Sequence, residues 1–403
     1  MNCRLCASPR MRSVLDLGVL PSSERFLCPD ELDLPEIGYP LHLRLCEDCL
    51  LLQVPESALH TVPADRPPPV ARSKRGAEAR DFLDRAIGRL GLGSYSQIVQ
   101  VSSHDGYLLR HAVEAGIPCL GVEASARAGT TARGLGVPTV TAFFDEAVAE
   151  DLYREYGPAD LVVADHIFSQ VQDIHSFVRG LRTLVADHGT ISLEIHNALH
   201  LVRDKRFDSI DHGRLQYFTV LTAMRALAGG GLMVVDVEPV DTAGGTLRIW
   251  ARPEETAPAQ GPRVEDALAE ERNSGIHSAA GYSVLENHAR ATRAATLRLL
   301  LDYRDRDLSV IGYGAEGYST VLNYCGIRPD LMRYTIDTDP LRQGTYTPGT
   351  RVPVRAPEQL HEDHPDVVMV LPWSHPPDPI EHLQYIDSWG GRLVFPPPTA
   401  PGA

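Results

Sequence analysis

Between residues 75 and 250, short apolar runs alternate with stretches whose apolar positions recur at helical spacing. Residues 77–90 carry the helical period. Ile98-Val99-Gln100-Val101 reads as a buried strand, and residues 107–114 as the helix after it. Cys119-Leu120-Gly121-Val122-Glu123, residues 161–165 and residues 190–195 continue the strand series. Strand and helix in alternation predict an α/β unit: a parallel sheet with helices on both faces. The period fades over residues 251–275, which reads as a boundary. A long helix through Leu300 and a strand over 308–314 then open a second α/β unit, with further strands predicted at 333–336, 367–371 and 392–395.

The first 60 residues follow neither period. They hold Cys3-Arg4-Leu5-Cys6 and Cys46-Glu47-Asp48-Cys49, separated by a Pro- and Leu-rich stretch. Pro67-Pro68-Pro69 closes the segment, and three successive prolines fit neither a helix interior nor a central strand, so this is a linker or an exposed loop. The chain therefore divides into residues 1–62, 63–252 and 253–403.

Two Cys-x-x-Cys knuckles supply four soft thiolates, the usual ligand set of a structural, closed Zn²⁺ site. The predicted ligands are Cys3, Cys6, Cys46 and Cys49. An iron–sulfur cluster uses the same ligands, but no other feature points to redox chemistry. Of the seven cysteines, Cys28, Cys119 and Cys325 stand alone and read as small core hydrophobes. No apolar run is long enough to span a bilayer, and the N-terminus runs into the first knuckle without a signal-peptide core, so a cytoplasmic protein is expected. With 38 basic and 53 acidic residues the formal charge is −15. That balance repels phosphate backbones, and with no local basic patch it argues against nucleic acid as a partner. Nothing in the sequence fixes the oligomeric state.

Two strand-to-helix turns carry nucleotide-binding signals. After residues 98–101 comes Ser102-Ser103-His104-Asp105-Gly106-Tyr107, and the next strand ends in Glu123, placed to grip a ribose. The same pattern also fits any βαβ connection with an outward Glu. In the last third, Gly312-x-Gly314-x-x-Gly317 follows a strand and Asp337 ends the next, the spacing of a dinucleotide fingerprint. On its own this is weak, and glycines that permit close helix–strand packing explain it.

Taken together, the knuckles, Gly38-Tyr39-Pro40-Leu41, Asp105-Gly106-Tyr107-Leu108-Leu109, Gly121-Val122-Glu123, Gly244-Gly245-Thr246-Leu247-Arg248, Gly312-Tyr313-Gly314-Ala315, Leu322-Asn323-Tyr324-Cys325-Gly326 and Leu371-Pro372-Trp373 resemble a known family. These are the zinc-containing, S-adenosylmethionine (SAM)-dependent C-methyltransferases that methylate carbon 3 of nucleotide-linked 4-keto-deoxysugars in antibiotic pathways. The resemblance runs nearly end to end. It implies an N-terminal zinc domain, a central SAM-binding Rossmann-like domain and a C-terminal Rossmann-like domain without NAD, with a small-molecule substrate between the last two. The cofactor residues it implies are Gln100, Ser102, His104, Asp105, Gly106, Glu123 and Asp165.

The chain departs from the family at the chemistry. The first SAM motif, Glu-Ile-Gly-Ser-Asn-Asp-Gly in the family, is Gln100-Val101-Ser102-Ser103-His104-Asp105-Gly106 here. The family's Asn-Asn and later His after the fourth strand become Asp165-His166 and Gln170. Its Tyr-x-Glu-His signature becomes Asp211-His212-Gly213-Arg214, and the proline run replaces an aromatic segment. In the family those Tyr, Glu and His residues bind the sugar and remove a proton to make an enolate. The replacement candidates are His166, Gln170, Asp211, His212 and Arg214, each of which also has an ordinary reading as a loop or surface residue. Two functions follow: methyl transfer to a more acidic carbon, an oxygen or a nitrogen, or a non-methylating isomerisation or cyclisation in the inherited pocket. A non-catalytic assembly partner ranks below both.

Overall fold

The computed structural model describes residues 2–56, 72–240, 245–315, 318–370 and 383–395, with the side chains of 72–75 left aside. The proline run, Gly244, Gly317 and Leu371-Pro372-Trp373 lie outside the described residues.

Seven strands make the central sheet: β4 (Ile98–Val101), β5 (Cys119–Glu123), β6 (Thr139–Thr141), β7 (Ala159–Asp165), β8 (Val185–His196), β10 (Leu232–Val240) and β11 (Thr246–Pro253). Their order is β10-β11-β8-β7-β4-β5-β6. All pair in parallel except β11, which runs antiparallel between β8 and β10. Successive positions of each strand face opposite layers. Val99, Val101, Val162, Ala164, Ile191, Leu193 and Ile249 pack in one layer with α4 (Glu146–Tyr156), α5 (Ile174–Leu184) and α7 (Val220–Ala228). Ile98, Leu161, Val163 and Trp250 pack in the other, under Ala79, Phe82 and Leu83 of α1 (Arg72–Leu90). Strand order reverses between β4 and β7, and open α/β sheets bind ligands outside the carboxyl ends of the strands at such a point.

The N-terminal segment is itself a sheet. β1 (Met11–Leu20), β2 (Tyr39–Cys46) and β3 (Leu52–Gln53) are antiparallel, and the fourth strand, β9 (Gln216–Tyr217), comes from the central segment. Apolar patterning could not show this, because a two-residue strand has no period. In the last third, β12 (Val310–Tyr313), β13 (Thr335–Ile336), β14 (Val354–Arg355), β15 (Val367–Val370) and β16 (Arg392–Val394) form a wholly parallel sheet in the order β14-β13-β12-β15-β16. Part of the expected boundary at 251–275 is instead helical: α8 (Pro262–Asn273) packs on β10 and α7. Its apolar stripe is short (Val264, Ala267, Leu268), and the buried Glu271 points at the first N–H groups of α7, so no clear helical period marks it in sequence.

Candidate active site and metal centre

The four knuckle cysteines converge, with all four sulfurs within 4.8 Å of one another. Cys3 and Cys49 Sγ lie 3.4 Å apart, and Cys6 and Cys46 Sγ 3.5 Å. Tetrahedral Zn–S bonds of about 2.3 Å require S···S distances of about 3.8 Å, inside that spread. Each knuckle closes the same way. Ala7 N–H bonds Cys3 O and Leu50 N–H bonds Cys46 O, both from residues in the left-handed region (φ 59° and 65°). Gln53 Nε2 donates to Cys3 Sγ at 3.3 Å, a hydrogen bond that supports a thiolate ligand. The cluster fits zinc.

The turn after β4 is wound tightly. Ser102 (φ 59°), His104 (φ 50°) and Gly106 (φ 80°) all occupy the left-handed region. For Ser and His that conformation costs about 1–2 kcal/mol each, and such strain collects at functional sites. The glycine and asparagine that the family motif has at these two places would adopt it more easily. Close packing also holds the turn: a Cβ on Gly121 would lie 2.5 Å from Ser103 Oγ. Glu123 folds back beneath it, Oε2 accepting from His104 N–H at 2.8 Å and Oε1 from Ser125 N–H at 2.9 Å. Two of its four acceptor positions remain for hydroxyl donors. Asp105 sits half-exposed on the same turn.

Polar residues line the α1 side of the sheet toward its carboxyl edge. Both amide atoms of Gln100, Ser103 Oγ, Asp165 Oδ1, Ser192 Oγ, Thr246 Oγ1 and Arg248 Nε are buried with no hydrogen-bond partner among the described residues. Each such group costs about 1–3 kcal/mol unless a polar ligand or water meets it. The amino-acid end of SAM is that kind of ligand. Gln100, Ser103 and Asp165 would face it and Glu123 the ribose, so the residues present fit the cofactor.

Next to this row runs a chain of ionisable groups. Glu194 and Arg248, opposite each other in the β8–β11 register, form a buried ion pair. The Arg248 guanidinium also lies 3.7 Å from the Phe82 ring centroid. His166 Nε2 stands 3.1 Å from Glu194 Oε2. Its ring stacks on His196 at 5.0 Å, and His196 Nε2 lies 3.2 Å from an Arg214 nitrogen. Arg214 completes the chain with Asp211 at 2.7 Å. Burial pushes Asp165 up to about 7, with Glu194 beside it adding to the rise. Burial, helped by Arg214, holds His196 well below the usual imidazole range and therefore neutral.

Of the expected residues, Asp165, His166, Asp211 and Arg214 meet in or beside this chain. His212 does not. It is buried at 3% exposure against Tyr39 of β2, Nε2 3.2 Å from Tyr39 O, and burial lowers its basicity. Gln170 ends the short helical turn Ile167–Ser169 and is exposed. Among the lone cysteines, Cys119 and Cys325 are buried as expected, but Cys28 is exposed, because it precedes the short helical turn Pro29–Glu31 in the connection between β1 and β2. Sequence reasoning overlooked Glu194 and His196. The signal was there: Thr190, Ser192, Glu194 and His196 alternate with Ile191, Leu193 and Ile195, which puts a polar face on the predicted strand.

Three family models match consecutive parts of the chain: a zinc binding domain over residues 3–61, a methyltransferase domain over 71–237 and a C-methyltransferase C-terminal domain over 241–398. The chain is also similar to the C-methyltransferase NovU of Streptomyces niveus, with 29% identity over 401 residues, 98% of this chain and 95% of that one. Over nearly its whole length the chain resembles the zinc-containing C-methyltransferases. It is a methyltransferase-like enzyme with a zinc-binding four-cysteine cluster and a sheet edge whose residues fit SAM. Two similar solved structures each overlap less than half of its length. Magnesium protoporphyrin IX methyltransferase from Synechocystis PCC 6803 with bound S-adenosylhomocysteine (SAH) has 14% identity over 47% of this chain and 90% of that one (TM-score 0.35). The CcbJ methyltransferase of Streptomyces caelestis has 16% identity over 48% and 94% (TM-score 0.35). No helix among the described residues is long and apolar enough to cross a membrane.

Proposed function

We propose that this enzyme transfers the SAM methyl group to a small natural-product intermediate other than a 4-keto-sugar carbon 3, with His166 as the base. The signature turn holds Gly213 and Arg214 where the family has its Glu and His, so it offers no base of the family's kind. The observation that carries the reading is the His166–Glu194 contact at the carboxyl end of β7, beside Asp165. With Nε2 turned to Glu194, Nδ1 keeps its lone pair, and it has no partner among the described residues. It takes the acceptor's proton, and Glu194 stabilises the imidazolium that forms. Bound SAM supplies an electrophilic methyl group and departs as SAH. The antibiotic-pathway family that the sequence resembles supports the natural-product setting, and the cytoplasm is the compartment we expect.

One observation favours a second reading, a non-methylating isomerase or cyclase. The acid expected to grip ribose, Glu123, already accepts two backbone N–H groups. Since half its acceptor capacity remains, methyl transfer is the reading retained. A panel of acceptors incubated with methyl-labelled SAM tests it. Label is expected in an acidic-carbon, oxygen or nitrogen acceptor and not in a thymidine diphosphate 4-keto-deoxysugar. His166→Ala is expected to lower kcat by about a hundred- to ten-thousand-fold. Methylation of the keto-sugar, or an unchanged kcat in His166→Ala, would overturn the proposal.

A further inference from the structure

The contact between Arg214 and His196 fixes the position of a hydrogen. A guanidinium carries N–H donors and no acceptor. The 3.2 Å approach of an Arg214 nitrogen to His196 Nε2 is therefore an Arg214 N–H donating to the Nε2 lone pair. His196 then has its hydrogen on Nδ1, since an imidazolium offers no lone pair. Other bonds aim the guanidinium. Arg214 donates to Ser209 O and to Asp211 Oδ2, each at 2.7 Å, and Asp211 Oδ1 accepts the Gly213 and Arg214 backbone N–H groups.

His166 presents the opposite case. Burial opposes the Glu194 charge, but His166 and Arg248 outweigh it, so Glu194 is an ionised acceptor. The His166 nitrogen 3.1 Å from it, Nε2, accordingly carries the hydrogen and Nδ1 the lone pair. The two rings stack with centroids 5.0 Å apart and 18° between their planes. Two imidazoles of opposite tautomer thus lie face to face, one set by an anion and the other by a cation. Burial, then Arg214, His166 and Arg206, all oppose a charge on His196. Burial also works against the Arg214 charge, which the carboxylates of Asp211, Glu24 and Asp208 help to sustain. On the other side, Asp165 and Glu194 share the electrostatic field of His166. A proton placed on His196 Nε2 would break the Arg214 bond and set two cations together.

We infer that Arg214 is a positioning residue that acts through His196: by donating to Nε2 it fixes that ring as the Nδ1–H tautomer, stacked on His166, so that the proton leaving the acceptor stays on His166. The acceptor's proton goes to His166 Nδ1, and His196 serves as the ring that holds the base in place. Arg214 stands where the family's signature has its His, and here it works through a second imidazole instead of touching the acceptor. The inference rests on the reading of His166 as base, and its test needs no turnover.

Zinc-loaded protein with isotopically labelled histidine shows the tautomer of each ring in long-range proton–nitrogen NMR spectra, with the two rings assigned by the loss of their signals in His166→Ala and His196→Gln. His196 is expected with a bare Nε2 and a hydrogen on Nδ1. It should stay so as the pH falls to about 6, below the ordinary imidazole midpoint. In Arg214→Met, which removes both donor and charge, His196 should lose its fixed tautomer and take up a proton at higher pH than in wild type. A wild-type His196 with its hydrogen on Nε2, or protonated on both nitrogens near neutral pH, would overturn the inference whether or not Arg214→Met folds. So would an Arg214→Met protein whose His196 signals match wild type. A His196 that behaves as expected beside a His166 with its hydrogen on Nδ1 would refute the base reading and leave the hold of Arg214 on His196 standing.

Discussion

Cys46→Ser is expected to empty the metal site and cost on the order of 5 kcal/mol or more, because a structural zinc contributes its binding energy to folding. Cys46 is the fully buried last residue of β2. From it the connections run straight to the active site. Arg4, inside the first knuckle, donates to Val54 O and Leu215 O, Val54 N–H donates to Leu215 O, and Arg225 donates to Cys49 O. Leu215 is the residue after Arg214, so losing the metal should loosen the Asp211–Arg214 turn as well as the N-terminal sheet. Metal analysis and urea unfolding check this. Zinc is expected to fall from near one equivalent to near none, with a much lower urea midpoint. A metal-free variant as stable as wild type would rule out structural zinc.

The second large effect is expected from Arg248→Leu, at about 3–5 kcal/mol, because the change strands Glu194 in the protein interior. The two side chains are 3% and 6% exposed, so neither charge has water to fall back on. Burial alone would raise the Glu194 pKa, but His166 and Arg248 outweigh it and hold the carboxyl low. In wild type this contribution is present above the ordinary Glu range and lost as pH falls through the lowered native value. In the variant the sign reverses: Glu194 moves up and binds its proton more readily folded than unfolded, so acidification from pH 8 toward 5 should narrow the gap to wild type. Arg248→Leu with Glu194→Leu should recover most of the loss. A single variant as stable as wild type at pH 8 would show that the pair is not buried in solution.

The central sheet was legible because its strands contain short apolar runs and alternate with helices whose apolar positions recur at helical spacing. The predicted runs at 98–101 and 119–123 coincide with β4 and β5. The zinc site was legible because ligand spacing is local. What sequence hid was non-local. The pairing of β3 with β9 joins segments 163 residues apart at Gln53 and Gln216, and two-residue strands leave no pattern. The adjacent Asp211 and His212 looked equivalent in sequence, yet the turn sends one to Arg214 and the other into the interface with β2. Glu194 was masked by the apolar residues on either side of it.

Calorimetric titration of zinc-loaded protein with SAH tests the central claim most directly. The account predicts a single micromolar site that is lost in Glu123→Ala while the variant stays folded. No binding to folded, zinc-loaded wild type would contradict a working SAM site and leave the non-methylating enzyme as the reading to pursue.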